Sequence, residues 1–141
     1  MKKQKTITIL NFAGFKEEQV PLLKRAALLS LKSEKINQYN INFIMISDIQ
    51  IKKLNAKYRK VNRITDVISF LIEPQTFTGD IYISQERSKK QAAKYGHIWI
   101  KELVYLTIHG VLHLCGYDDY QPQNKKIMFE KQDNIFKCLF S

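Results

Sequence analysis

The alternation of apolar and polar residues in the first half of the chain predicts two strands, each followed by a helix. Residues 6–12 alternate as a strand, and the Ala-Gly step at 13–14 interrupts the pattern. Apolar residues then recur at helical spacing from about residue 17 to 34, and a second strand is predicted at 41–46. Another amphipathic helix is expected directly behind that strand.

The second half of the chain predicts an antiparallel pair of strands and three helices. The strands are residues 65–72 and 79–84, with a loop between them. A polar helix follows and ends near Gly96, and the last helix opens at Pro122. Between those two helices lies a nearly uncharged segment, residues 98–115. A helix that is apolar nearly all round belongs in the centre of a domain.

Together these elements predict an α+β fold. We expect a small mixed four-stranded sheet covered by helices, with a buried central helix that carries two histidines in an HxxxH pattern. The chain of 141 residues, with 45% apolar and 26% charged residues, has the length and proportions of one globular domain. We therefore expect a single domain over residues 1–141.

The distribution of apolar segments and cysteines indicates the compartment. No stretch is uninterrupted and apolar enough for a membrane span or a signal peptide. Cys115 and Cys138 do not form a CxxC pair, which fits a reducing compartment better than a disulfide-stapled secreted domain. We expect a cytoplasmic protein that does not contact the membrane.

The net charge of +10 lies mostly in the first half of the chain. Residues 1–60 contain 13 lysines and arginines against 4 acidic residues, whereas residues 61–141 contain 10 against 9. A one-sided basic surface attracts polyanions, of which nucleic acid is the commonest in the cytosol. The alternative interpretation is an ordinary solvated surface rich in lysine.

The candidate chemistry lies on the uncharged helix. His109 and His113 are four residues apart, so both imidazoles project from one face and can reach the same ion. Gly116 then allows a turn that returns Asp119 to that ion. Two nitrogens and one oxygen leave a fourth tetrahedral position open, which is typical of a catalytic zinc site, although nickel, iron or manganese would also accept these ligands.

Two other interpretations of the histidine pair remain. Histidines on an apolar helix can be hydrogen-bonded core residues, although a buried pair without partners would be unfavourable. The same spacing also occurs in metzincin-like proteases, which carry a general-base glutamate directly after the first histidine. That position is Gly110 in this chain, which argues against peptide hydrolysis.

Three ordered segments resemble the YbeY family of bacterial endoribonucleases and rRNA-maturation factors. The first block comprises LNAKYR at 54–59 and TDVISF at 65–70, and the second is GDIYIS at 79–84. The third is HGVLHLCGYDD at 109–119, where the family signature is HGxLHLxGYDH. The resemblance implies a metal-dependent, single-strand-specific endoribonuclease domain with one Zn²⁺. It also implies a role in 16S rRNA 3′-end maturation and 70S ribosome quality control.

One position departs from the family signature. The last histidine of the signature corresponds to Asp119 here. A carboxylate oxygen is an acceptable zinc ligand, but its negative charge should make bound water a weaker acid. The alternative is that Asp119 is a solvated loop residue. Asp118 matches the family's own aspartate, and we expect it to hydrogen-bond the loop backbone.

The basic residues after the second strand are the candidate RNA contacts. Arg59 matches the family's functional arginine, and a planar guanidinium can meet two non-bridging oxygens of a phosphodiester as charge builds on them. Its neighbours Lys53, Lys57, Lys60 and Arg63 are predicted to hold the RNA backbone without reading bases.

The resulting hypothesis assigns catalytic roles to Arg59 and His113 and metal binding to His109, His113 and Asp119. Water activated by the metal is the expected nucleophile or base, and no protein general base is identifiable. The expected partners are the 16S rRNA precursor and the small ribosomal subunit, and the protein is expected to be a monomer. The main alternative is a non-catalytic, ribosome-associated maturation factor whose metal site stabilises the fold.

Overall fold

Four strands and five α-helices make up the described part of the computed structural model, which comprises residues 3–10 and 17–140. In chain order they are β1 Lys5–Leu10, α1 Val20–Ser33, β2 Tyr39–Ile46, α2 Asp48–Arg59, β3 Val67–Glu73, β4 Thr78–Ser84, α3 Gln85–Tyr95, α4 Trp99–Leu114 and α5 Pro122–Phe140. The predicted break at 13–14 and the end of the first predicted strand lie outside the described residues. None of the described helices has the length and apolar composition needed to cross a bilayer.

The four strands form one mixed sheet in the order β1-β2-β4-β3. β1, β2 and β4 run parallel, and β3 pairs antiparallel with β4 at the edge. Every second residue of β2 is buried, from Tyr39 to Met45, because one face of the sheet packs against the helices. The predicted α+β fold with a mixed four-stranded sheet is confirmed.

Side-chain caps at the start of a helix and residues with a left-handed backbone conformation at its end set the helix boundaries. Ser47 and Gln50 form a reciprocal capping box at the start of α2. The hydroxyl of Ser84 accepts a hydrogen bond from the Arg87 amide at the start of α3, and Gly96 ends that helix with φ +72°. The first helix begins at Val20 rather than near residue 17, because a short 3-10 turn, Glu17–Gln19, precedes it.

α4 is the central helix, as its uncharged sequence predicted. It packs against α1, α3 and α5 and also against β3 and β4. Its fully buried side chains are Leu103, Val104, Ile108, Val111 and Leu112. Because α4 has protein on nearly all sides, surrounding side chains and backbone hold its two histidines and Glu102, whereas the buried hydroxyl of Thr107 has no hydrogen-bond partner among the described residues.

α4 approaches the sheet closely at Gly110. A Cβ atom at this position would lie 2.7 Å from Cγ2 of Ile81 on β4 and 3.3 Å from the hydroxyl oxygen of Ser69 on β3. That hydroxyl donates a hydrogen bond of 2.9 Å to the Gly110 carbonyl. Glycine is therefore required here because there is no space for a side chain, although glycine normally weakens a helix.

We predict that Gly110→Ala destabilises the protein. The added methyl must displace Ile81, so we expect the free energy of unfolding to fall by about 1–3 kcal/mol. Urea denaturation followed by circular dichroism measures this. The matched control is Ala93→Gly on the exposed side of α3, where the reverse exchange should cost about 0.5–1 kcal/mol through helix propensity alone. A Gly110→Ala protein more stable than the wild type would contradict the packing argument.

Candidate active site

The two histidines of α4 and one aspartate of the following loop converge on one point. The Nε2 atoms of His109 and His113 are 3.0 Å apart. Asp119 returns to them after Gly116, whose φ of +100° lets the chain turn behind α4. Its Oδ2 lies 3.5 Å from Nε2 of His109, and its Oδ1 lies 3.7 Å from Nε2 of His113. The structure thus brings together the three residues predicted as metal ligands.

The spacing of these atoms suits a small divalent ion. In a tetrahedral zinc site with metal–ligand bonds of about 2.0–2.1 Å, the ligand atoms are about 3.3–3.4 Å from one another. The separations of 3.0, 3.5 and 3.7 Å bracket that value. The three residues therefore form a possible metal-binding site.

A buried glutamine fixes the orientation of His109. The side-chain nitrogen of Gln132 donates a hydrogen bond of 3.1 Å to the carbonyl of Tyr105, so its Oε1 faces His109. That oxygen lies 3.0 Å from Nδ1 of His109 and, being an acceptor, requires the proton on Nδ1. In the neutral ring, Nε2 then carries a lone pair directed at the cluster.

A backbone carbonyl has the same effect on His113. Its Nδ1 donates to the carbonyl oxygen of Tyr117 at 3.0 Å, so its Nε2 also presents a lone pair. Burial lowers the pKa of His113 from its ordinary value, and the neighbouring His109 lowers it further. Two lone pairs facing each other at 3.0 Å repel unless a positive charge lies near both, and a metal ion bound at the cluster would supply that charge.

Gln132 is a site residue that the sequence reasoning missed. It lies on α5 and is fully buried, like Met128 four residues before it, and Ile135 three residues after it is also buried. A glutamine inside an apolar stripe at helical spacing was the available signal, because a buried amide needs hydrogen-bond partners. Its pairing with His109 depends on how α5 packs on α4, which helical periodicity does not specify.

Asp118 has the structural role that was expected. Its Oδ1 accepts a hydrogen bond of 3.3 Å from the backbone amide of Tyr120, and its Oδ2 accepts one of 3.4 Å from Asn124. These bonds close a turn around the loop. Asp118 therefore stabilises the loop that presents Asp119 to the histidines.

Arg59 lies at the end of α2, beside the cluster. It is exposed, and its charge contributes to the lowered pKa of His113. Arg59 and Arg63 line a hollow of about 510 Å³ together with Tyr120, the residue after Asp119. Two of the predicted RNA contacts are therefore next to the candidate metal ligands.

The predicted lysines are placed differently. Lys53, Lys57 and Lys60 are exposed but do not line the hollow that contains Arg59. The ammonium group of Lys57 lies 5.1 Å from the ring centre of Tyr58. Lys53 and Lys57 would therefore contact RNA from the exposed surface of α2, and Lys60 would do so from the position directly after that helix.

Asn55, on the same helix as Arg59, holds the loop that follows that helix. The side chain of Asn55 is buried and donates a hydrogen bond of 3.0 Å to the backbone carbonyl of Arg63. Ser69 faces α4 through its bond to the Gly110 carbonyl. Asn55 thus ties the loop after α2 to the helix, so that Arg63 stays near Arg59.

The protease interpretation has no support in this geometry. A glutamate at residue 110 would have to pass through the contact between α4 and Ile81, where even a Cβ atom would be 2.7 Å from a methyl carbon. The residue that would act as general base in a metzincin-like protease therefore has no room here.

The fold and the cluster define a class of protein: a small α+β protein whose buried helix and following loop present two histidines and a carboxylate. The family model described as "Endoribonuclease YbeY" matches residues 4–139. The chain belongs to the YbeY endoribonuclease family, which confirms the resemblance seen in its sequence motifs.

Individual relatives agree with this assignment. The chain is 61% identical to the endoribonuclease YbeY of Endomicrobium trichonymphae over 137 residues, which covers 97% of each protein. It is 35% identical to that of Acetivibrio thermocellus, covering 87% of this chain and 88% of the relative. Among solved structures, TM1509 from Thermotoga maritima superposes with a TM-score of 0.68 at 34% identity, covering 96% of this chain and 89% of that one.

We predict that Gln132→Leu weakens metal binding. Without the acceptor, His109 no longer keeps its proton on Nδ1, and loss of such a partner typically lowers metal affinity 10–100-fold. Zinc affinity is measured by competition with a chromogenic chelator, and the tautomer by long-range ¹H–¹⁵N correlation spectra of the imidazole.

The matched control for this experiment is Gln123→Leu, which makes the same change at an exposed position of α5. It should leave both the zinc affinity and the His109 tautomer unchanged. Wild-type affinity in a folded Gln132→Leu protein would show that Gln132 does not position His109.

Proposed function

We propose that this protein is a single-strand-specific, metal-dependent endoribonuclease that acts in 16S rRNA 3′-end maturation and ribosome quality control. The observation that carries the proposal is the position of the His109–His113–Asp119 cluster beside a hollow lined by Arg59 and Arg63. Relatives named endoribonuclease YbeY support the reaction class. A site that combines a cation-binding cluster with guanidinium groups suits a phosphodiester substrate.

Zn²⁺ is the ion that we propose for the cluster, with His109, His113 and Asp119 as its ligands. Two imidazole nitrogens and one carboxylate oxygen are the donor types of catalytic zinc sites. Bound there, the ion would polarise the phosphodiester and lower the pKa of a water molecule. Gln132 and the Tyr117 carbonyl support this role because they keep both Nε2 atoms free to bind.

Arg59 and His113 are the proposed catalytic residues. The exposed guanidinium of Arg59 is free to follow the phosphate and to bind two of its non-bridging oxygens as charge accumulates. His113 acts through the ion and is held by its hydrogen bond to Tyr117. Neither role requires a protein general base.

The RNA is proposed to run along the basic surface around α2. Arg63 would bind a phosphate near Arg59, and Lys53, Lys57 and Lys60 would hold the backbone further out through salt-sensitive contacts. Tyr120, 74% exposed, is at the hollow beside both arginines. An exposed aromatic ring offers a stacking surface to an unpaired base, which supports the proposed preference for single strands.

The biological setting is part of the same proposal. We propose that the protein works in the cytoplasm as a monomer, without contact to the membrane, on the precursor of 16S rRNA at the small ribosomal subunit. The net charge of +10, concentrated in residues 1–60, suits a partner that is itself a polyanion.

We predict that Arg59→Ala lowers the rate of RNA cleavage about 100-fold, because the developing phosphate charge loses its partner. Arg59→Lys should recover only part of the rate, since an ammonium group cannot bind two oxygens in a fixed plane. Cleavage of an end-labelled RNA that spans the mature 3′ end of 16S rRNA, by purified protein, measures both effects.

The matched control is Arg25→Ala, which removes an exposed arginine from α1 and should cleave like the wild type. His113→Ala should be inactive. Equal cleavage by wild type, Arg59→Ala and His113→Ala would point to a contaminating nuclease. The non-catalytic maturation factor would then be the better description, provided that the purified protein still binds the small subunit.

We predict that Asp119 determines metal retention. Asp119→Ala should purify with much less zinc than the wild type, whereas Asp119→His, which restores the residue of the family signature, should retain it in a 1:1 ratio. Elemental analysis of dialysed protein measures both. Asp118→Asn is the neighbouring control, because its remaining side-chain oxygen can still accept the Tyr120 amide. Equal zinc in wild type and Asp119→Ala would remove Asp119 from the site.

A further inference from the structure

A second hollow adjoins the metal-ligand cluster and plays no part in the function proposed above. It has a volume of about 230 Å³, and His109 and Asp119 are among the residues that line it. Neither Arg59 nor Arg63 lines it; they line the larger hollow, which Tyr120 also borders. Asp119 and Tyr120 are adjacent, so the loop that carries Asp119 contributes one residue to each hollow.

The smaller hollow follows α4 towards the amino end of the helix. Glu102, Tyr105, Leu106 and His109 share one face of α4 and all line it. Glu102 lies seven residues before His109, which is about 10 Å along the helix axis. A nucleotide whose phosphate is at the His109–His113–Asp119 cluster can span this length with its sugar and base.

The polar groups in this hollow are mostly hydrogen-bond acceptors. Glu102 is buried, and His97 lies 2.7 Å from its Oε2, so the other carboxylate oxygen is the one that a ligand would meet. Gln91 directs its Nε2 to Oδ2 of Asp66 at 3.4 Å, which leaves the amide oxygen of Gln91 as an acceptor. Among the described residues that line the hollow there is no lysine or arginine.

The remaining lining is aromatic and apolar. Tyr95, Tyr105 and Phe129 contribute rings, and the hydroxyl of Tyr105 already donates to Asp133 at 3.1 Å. A flat ligand with apolar faces can pack against such rings. A phosphate group would find acidic side chains and no lysine or arginine among the described lining residues, so this hollow does not suit the RNA backbone.

From this lining we propose that the hollow is a subsite for a guanine base of the RNA substrate, with Glu102 and Gln91 as its specificity-determining residues. Guanine presents N1–H and the N2 amino group side by side, so its edge supplies two donors to a hollow lined by the acceptors of Glu102 and Gln91. Adenine and cytosine place an acceptor nitrogen beside their amino group. Uracil places its one N–H between two carbonyl oxygens. The inference rests on the proposed endoribonuclease function, and it adds that cleavage occurs next to a guanosine.

Binding of mononucleotides tests the subsite without cleavage. Guanosine 5′-monophosphate and its adenosine, cytidine and uridine counterparts are titrated into the zinc-loaded, full-length protein and followed by ¹H–¹⁵N spectra. We expect the guanine nucleotide to bind most tightly and to shift the side-chain amide of Gln91 and the backbone amides around Glu102. Equal binding of all four nucleotides, or shifts confined to the hollow of Arg59, would overturn the inference.

Two variants test the named residues. Glu102→Gln exchanges one acceptor oxygen for a donor in the same shape, and loss of this hydrogen bond should weaken guanine nucleotide binding about tenfold. The affinity for the uridine nucleotide should not fall. Gln91 is half-buried on α3, and Gln91→Leu should also weaken guanine binding. This second variant tests the subsite even if Glu102→Gln does not fold. Glu130→Gln, the same exchange at an exposed position of α5, is the matched control.

Cleavage then separates this inference from the proposed function. Oligoribonucleotides that differ in one base at each position next to the cleaved bond should give the highest kcat/KM with guanosine at one position, and Glu102→Gln should remove that preference. Cleavage with equal kcat/KM for all four bases overturns the guanine subsite and leaves the endoribonuclease function intact. Selective guanine binding in this hollow without any RNA cleavage overturns the proposed function and supports the subsite.

Discussion

The close packing of α4 against the sheet is the constraint on which the other features depend. Gly110 lies so near Ile81 and Ser69 that this contact restricts both the distance of the helix from the sheet and its rotation about its axis. The rotation that places residue 110 against the sheet also places residues 109 and 113 to one side of that contact, where their side chains meet α5 and the loop after α4. The glycine beside the first histidine thereby determines where both imidazoles point.

The burial of α4 also explains why the site has such complete hydrogen bonding. A polar group on a helix surrounded by protein finds its partners in that protein or stays unpaired at a cost, as the hydroxyl of Thr107 does within the part of the chain that the structure describes. His109 finds Gln132, His113 finds the carbonyl of Tyr117, and Glu102 finds His97. The first two bonds engage Nδ1 of each histidine and leave both Nε2 atoms able to bind a metal ion. The third engages Oε2 of Glu102 and leaves its other carboxylate oxygen for a ligand.

Much of this arrangement was predictable from the sequence, and the unpredicted part has a common physical origin. Periodicity predicted the strands, the helices and the central position of α4, and the residue spacing predicted that His109, His113 and Asp119 would meet. Periodicity gives the face on which a residue lies but not its partner across an interface. The partners of Gln132 and Asn55, and the acceptor-rich lining near Glu102, depend on how α5, α3 and the loop after α2 pack, which only the structure gives.

The two imidazoles are held by chemically different partners, and this difference has an evolutionary consequence. His113 is oriented by a main-chain carbonyl, which every residue type at position 117 would provide. His109 is oriented by the side chain of Gln132, which a single nucleotide change can remove. The first support is robust to mutation and the second is not. Sequence drift should therefore be tolerated at 117 wherever packing allows, while residue 132 should vary only among side chains that can accept a hydrogen bond.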